Sequence, residues 1–61
     1  MKGFIKLTDK SGDRVIVNYE AITVIGLFEG DTTIAFQGSK VLVKQSIDEV
    51  LIAIATERSR I

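Results

Sequence analysis

Only one segment of this 61-residue chain has the periodicity of a helix, and it lies near the C-terminal end. Ser46 and Glu49 form the pattern of a capping box, in which each side chain accepts a hydrogen bond from a free backbone amide at the helix start. The apolar residues that follow recur at the spacing of one helical face: Ile47, Val50, Leu51 and Ile54. We therefore predict a helix over residues 46–58 that covers a sheet built from the rest of the chain.

The residues before this helix show short β patterns separated by turn signals. Alternating apolar residues predict strands over residues 4–8, 14–18, 22–28, 32–36 and 40–44. The connections are short, which favours antiparallel neighbours. We predict a mainly β (α+β) fold in one domain over residues 1–61, either a five-stranded antiparallel meander or a small barrel-like sheet, with one C-terminal helix.

The segment 22–28 is the longest apolar strand, and we expect it to lie at the centre of the sheet. Gly26 interrupts it. A glycine inside a strand suggests a bulge or a close approach by another backbone.

The chain contains more apolar residues than one sheet face and one helix stripe require. Ile16 and Leu42 are out of phase with their strands, and Ala53 lies off the helix stripe. A chain this short usually needs an additional means of stabilisation, and without Cys or His it has no disulfide and no typical structural zinc site. We therefore expect a homo-oligomer, with a closed monomer as the alternative, and contacts to itself or to another protein through Ile25, Leu27, Phe28 and Ile52.

Most catalytic arrangements are excluded by the residue inventory. Without His or Cys there is no Ser-His or Cys-His nucleophile pair, and no phosphate-binding loop precedes the helix. Asp9, Ser11 and Asp13 alternate as calcium ligands do, but the glycine and the glutamate of a calcium loop are missing. We expect a non-enzymatic protein with no catalytic residues, no cofactor and no metal.

The charge balance argues against general nucleic-acid binding. Eight basic residues equal eight acidic ones, so the formal net charge is zero and no basic excess is available for phosphates. Lysines on edge strands commonly serve to prevent aggregation. The alternative is that paired edge strands present a nucleic-acid site made of Lys6, Lys10, Arg14 and Lys44.

No apolar run approaches the roughly 20 residues of a membrane span. The first residues follow a strand pattern where a secretory signal would have an apolar core. We therefore expect a cytoplasmic protein without a membrane span.

Two groups of residues carry a resemblance to a known family. The first comprises Ile5-Lys6-Leu7-Thr8, Gly12, Val17-Asn18 and Ile22, and the second is the run from Val43 to Leu51. They resemble the small FlbD-like (SwrD) flagellar and swarming-motility proteins of bacteria over nearly the whole chain, apart from residues 25–31. The resemblance implies a short β-rich protein that supports flagellar function through protein contacts, without a catalytic site.

A second resemblance is to the carbon storage regulator family of dimeric RNA-binding proteins. It rests on Leu7-Thr8, Gly12-Asp13, Val24-Ile25-Gly26, Gly30 and Ile34. That family has basic residues after its first Leu-Thr and at the end of its fifth strand, where this chain has Asp9-Lys10 and Lys44-Gln45. This resemblance implies an intertwined dimer that regulates translation.

We therefore predict a self-associating, non-enzymatic interaction module of the bacterial or phage cytoplasm. The alternative is a dimeric RNA-binding translational regulator.

Overall fold

The computed structural model describes residues 3–60. The elements are β1 (Phe4–Thr8), β2 (Arg14–Asn18), a 3-10 turn (Tyr19–Ala21), β3 (Ile22–Phe28), β4 (Asp31–Phe36), β5 (Ser39–Val43) and α1 (Ile47–Arg58). The predicted mainly β fold with one C-terminal helix is confirmed. The first three strands have the predicted bounds, and every other boundary lies within one residue of its predicted position.

All paired strands are antiparallel, and within residues 3–60 they form two sheets that do not close into a barrel. β1 pairs with β2, while β4 lies between β3 and β5. The sheets meet at one corner, where the Lys10 amide donates to the Leu42 carbonyl at 3.0 Å and the Lys44 amide donates to the Thr8 carbonyl at 2.9 Å. Helix α1 packs against β1 of one sheet and β3 of the other.

The prediction that β3 is the central strand is wrong. Within the described residues β3 pairs only with β4, so its other side is a sheet edge. The physical reason is the 3-10 turn, which separates β3 from β2. Asn18 begins this turn by accepting a hydrogen bond from the Glu20 amide at 3.0 Å.

The prediction of a bulge at Gly26 is also wrong. The irregularity lies between Ile22 and Val24, and the hydroxyl of Thr23, the intervening residue, donates to a carbonyl of β4 at 3.1 Å. Gly26 itself pairs in regular register, and a Cβ placed on it would meet nothing within 4 Å. The space in which a side chain at this position would stand is therefore not filled by another backbone of the described chain.

The core lies between the two sheets and α1. Its buried apolar residues are Ile5, Leu7, Val17, Ile34, Val43 and Val50. Ile34, on the middle strand of the three-stranded sheet, and Val50, in the first half of the helix, are fully enclosed and belong to the same core cluster. Burial of these side chains is the principal force that holds the two sheets and the helix together.

Helix α1 turns a face centred on Val50 toward the core, and this changes two predicted positions. Leu51 is largely exposed although it was assigned to the buried stripe, and Ala53 packs against the core although it was placed outside that stripe. Ala53 and Ile54 follow Val50 by three and four residues, whereas Leu51 is rotated from it by about 100°. The angle at which the helix docks therefore favours Ala53 over Leu51.

Candidate interaction surface

The largest exposed apolar side chains of the sheets are concentrated on β3. Leu27 is 67% exposed, Val24 59% and Phe28 54%. They belong to the regular part of the strand, after the irregularity at its beginning. We call this segment, Val24–Phe28, the β3 edge; its side away from β4 pairs with no other strand within residues 3–60.

The β3 edge is apolar on both faces of the sheet. Ile25 and Leu27 stand opposite the buried Ile34 and Thr32 of β4, so they share the core face of the sheet. Val24 and Phe28 alternate with them and project from the outer face. Leu27 is nevertheless exposed, whereas Thr32, its partner on the middle strand, is buried.

Phe28 is partly covered by a basic side chain from β5. The Lys40 ammonium lies 5.0 Å from the centre of the Phe28 ring, the geometry of a cation–π contact. This contact orients the ring along the outer face of the sheet and leaves much of its surface accessible.

The structure brings three of the four predicted contact residues together. Ile25, Leu27 and Phe28 lie in succession on the β3 edge, although Ile25 is half-buried against the core. Ile52 is exposed on α1, about 200° around the helix axis from the buried Val50. It therefore lies on the solvent side of the helix, separate from the β3 edge.

Two exposed residues near the predicted surface escaped the sequence reasoning. Val24 shares the outer face with Phe28, and its alternation with Ile25 was the available signal. Leu51 lines a groove between α1 and the start of β3, together with Tyr19, Glu20, Ile22, Ile25, Ile54 and Arg58. Its exposure had no local signal, because Leu51 fits the helical stripe as well as Ile54 does.

The four basic residues predicted as a nucleic-acid site all lie on or next to the β1–β2 hairpin. Lys6 and Arg14 project from the same face of the hairpin, according to the β1–β2 register. The Lys10 ammonium is paired with the Asp31 carboxylate at 2.8 Å. Lys44 directs its ammonium toward Gly12 in the turn.

Acidic residues alternate with these basic residues. Asp9 and Asp13 lie in the same turn, where the Asp9 carboxylate accepts a hydrogen bond from the Asp13 amide at 2.9 Å. This bond gives Asp9 a structural role within the turn. The hairpin therefore carries both signs of charge, whereas phosphate binding depends on a basic excess.

A second groove lies where the end of α1 meets the β1–β2 hairpin, and it also contains both signs of charge. It is lined by Phe4, Ile5, Lys6, Ile16, Ala53, Thr56, Glu57 and Arg60. The Arg60 guanidinium donates to the Glu57 carboxylate at 3.0 Å. Burial alone would raise the pKa of Glu57. Hydrogen bonding and positive charge, including those of Arg60, lower it by more than burial raises it, so this pKa lies below its ordinary value.

Residues 3–60 contain no helix with the length and apolar character needed to cross a membrane. The same residues contain no group of three or more acidic side chains placed to hold a metal ion.

The fold and the β3 edge define a small antiparallel β protein with one covering helix and an apolar sheet edge. The chain matches the family model of FlbD, the flagellar and swarming motility proteins, over residues 4–61. Because the match covers nearly the whole chain, the protein belongs to the FlbD family. This result confirms the first of the two resemblances. Comparisons with curated proteins and with solved structures gave no match.

Proposed function

We propose that this protein is a non-enzymatic, self-associating interaction module that supports flagellar or swarming motility from the bacterial cytoplasm. Family membership supports the motility role. The observation that carries the interaction role is the β3 edge, where Val24, Leu27 and Phe28 expose apolar surface on a strand with an unpaired side.

The physical argument rests on the cost of exposing this surface. Contiguous apolar patches on a protein surface commonly mark contacts with other proteins. A long apolar edge strand also offers unpaired amides and carbonyls, which natural proteins normally protect with charges, proline or a covering element. Val24–Phe28 contains no charged residue and no proline, and its side away from β4 pairs with no other strand within residues 3–60, so binding of a protein partner accounts for both features at once.

A lysine at Leu27 tests this proposal in the cell. Leu27→Lys adds a charge to the exposed edge, so it should leave the free energy of unfolding within about 0.5 kcal/mol of wild type. We expect it to abolish complementation of swarming in a strain that lacks this gene, at an equal cellular level of protein. The matched control is Ile16→Lys, since Ile16 is 57% exposed on β2, and it should complement as well as wild type.

Full complementation by Leu27→Lys would contradict an interaction role for the β3 edge. Self-association is measured separately, by sedimentation of the purified wild-type protein over a wide range of concentration. Binding of RNA that weakens steeply with added salt would instead support the translational regulator.

A further inference from the structure

The regular part of β3 is symmetric about a glycine. It comprises five residues, Val24 to Phe28, with Gly26 at the centre and no charged side chain among them. Of the other outer strands, β2 begins with the charged Arg14, and β1 and β5 are joined to each other by main-chain hydrogen bonds at the corner of the two sheets. The β3 edge is thus the better template for a further strand.

The hairpin turn determines which main-chain groups of β3 are free. Phe28 and Asp31 flank the two-residue turn Glu29–Gly30, in which both residues have positive φ. Residues that flank such a turn form a hydrogen-bonded pair, and hydrogen-bonded and non-hydrogen-bonded pairs then alternate along the ladder. Within the regular segment, Ile25 and Leu27 therefore direct their amides and carbonyls away from β4, toward the free side.

A second copy of the same strand would present the same free amides and carbonyls, those of its own Ile25 and Leu27, so the two edges can hydrogen-bond to each other. We propose that two copies of the protein associate by antiparallel pairing of their β3 edges about a two-fold axis at Gly26. In this register Ile25 of each copy stands opposite Leu27 of the other, and the two residues exchange both hydrogen bonds. The pair contains four main-chain hydrogen bonds and joins two three-stranded sheets into one six-stranded sheet.

The side chains support the same register. On one face, Ile25 of each copy packs beside Leu27 of the other. On the opposite face, Val24 stands across from Phe28, a β-branched–aromatic pair of the kind that stabilises antiparallel strands. Gly26 faces Gly26 of the second copy at about 4.5 Å between Cα atoms, the spacing of a non-hydrogen-bonded pair.

A second copy fits this edge better than an unrelated strand because the edge is complementary to itself. The pairing brings no like charges together, since Val24–Phe28 is uncharged, and it covers Val24, Leu27 and Phe28 of both copies. The inference rests on the proposed function, for which it specifies the partner and the geometry of self-association.

Disulfide cross-linking tests the two-fold axis directly, because the natural chain contains no cysteine. Gly26→Cys places two thiols across the axis, at a Cα separation within the range that a disulfide tolerates. A Cβ at this position meets nothing within 4 Å, so the variant should fold normally. We expect mild oxidation to convert it almost completely to a linked dimer, whereas the control Ile16→Cys should stay mainly unlinked.

A mixture of two single variants, Val24→Cys and Phe28→Cys, tests the register. The proposed pairing predicts that the mixed disulfide forms in preference to either homodimer. Ile52→Cys is the control for collision between exposed thiols, and it should link slowly with every variant.

The outcomes distinguish this inference from the proposed function. A dimer by sedimentation in which Gly26→Cys links no faster than Ile16→Cys would overturn β3 pairing while leaving self-association intact. A wild-type protein that stays monomeric at every concentration would overturn both. A mixed disulfide no more abundant than the homodimers would overturn the register.

Discussion

Ser46 holds the start of α1 through two reciprocal hydrogen bonds. Its hydroxyl accepts from the Glu49 amide at 3.1 Å, and the Glu49 carboxylate accepts from the Ser46 amide at 2.8 Å. We predict that Ser46→Ala lowers the free energy of unfolding by about 1 kcal/mol, because the Glu49 amide loses its acceptor. Urea denaturation followed by circular dichroism measures this change.

Ser11→Ala is the matched control, since Ser11 is exposed in the β1–β2 turn. It should change the free energy of unfolding by no more than about 0.5 kcal/mol. Equal losses in the two variants would argue against the capping role of Ser46.

At the scale of single residues, the contacts that sequence predicts are the local ones. The capping box was predictable because Ser46 and Glu49 are three positions apart and their chemistry is reciprocal. The exposure of Leu51 was not predictable, because Leu51 and Ala53 lie on either side of the core-facing direction. Only the docking of α1 on the sheets decides which of them is buried.

Among the elements, the β3–β4 hairpin depends on the left-handed conformation of Gly30 in its turn. Glu29 has a φ of 52° and Gly30 a φ of 84°, as a type I′ turn requires. We predict that Gly30→Ala lowers the free energy of unfolding by about 1 kcal/mol, because a Cβ is unfavourable in this left-handed conformation. Thermal unfolding at low protein concentration measures the change without a contribution from self-association.

Gly26→Ala is the control within the same hairpin. Gly26 does not have a left-handed φ, and a Cβ there meets nothing within 4 Å. This substitution should leave the free energy of unfolding unchanged or raise it by about 0.5 kcal/mol, since alanine loses less conformational freedom on folding than glycine. Destabilisation comparable to that of Gly30→Ala would show that the turn geometry is not the cause.

Element bounds were predictable, whereas the order of the strands was not. Glycines at turns and alternation within strands mark where each strand begins and ends. The apolar run of β3 suggested a central strand, yet an edge strand with apolar side chains on both faces has the same pattern. β3 is an edge strand and not a central one because the 3-10 turn at Tyr19–Ala21 prevents pairing between β2 and β3.

For the molecule as a whole, the two sheets meet at one corner, and Gln45 reinforces this junction. Its side-chain carbonyl accepts from the Thr8 amide at 3.0 Å, and its amide group donates to the Thr8 hydroxyl at 3.4 Å. We predict that Gln45→Ala lowers the free energy of unfolding by about 1–2 kcal/mol, because a partly buried amide is left without its acceptor. Hydrogen exchange of the Thr8 amide should also become faster.

Gln37→Ala, in the exposed β4–β5 turn, is the control and should leave both quantities near wild type. Unchanged exchange of the Thr8 amide in Gln45→Ala would show that the junction does not depend on this side chain.

The candidate surface was predictable at this scale only in part. An excess of apolar residues indicated contact with a partner and identified Leu27 and Phe28. It could not separate Ile52 from them, because the distance between a helix face and a strand depends on the packing of the entire molecule. For the same reason, the sequence could not predict that β3 pairs with only one other strand of the described chain.

The position of β3 at the end of its sheet also limits how large an assembly can grow. At the other end of that sheet, β5 is bound at its corner to β1, and beyond β1 lies β2 with its charged first residue. In the proposed dimer the β3 edges of the two molecules pair with each other, so neither edge is left open to a third molecule. The proposed pairing would therefore stop at two copies, and it would cover an apolar edge strand that could otherwise add further strands and form fibres.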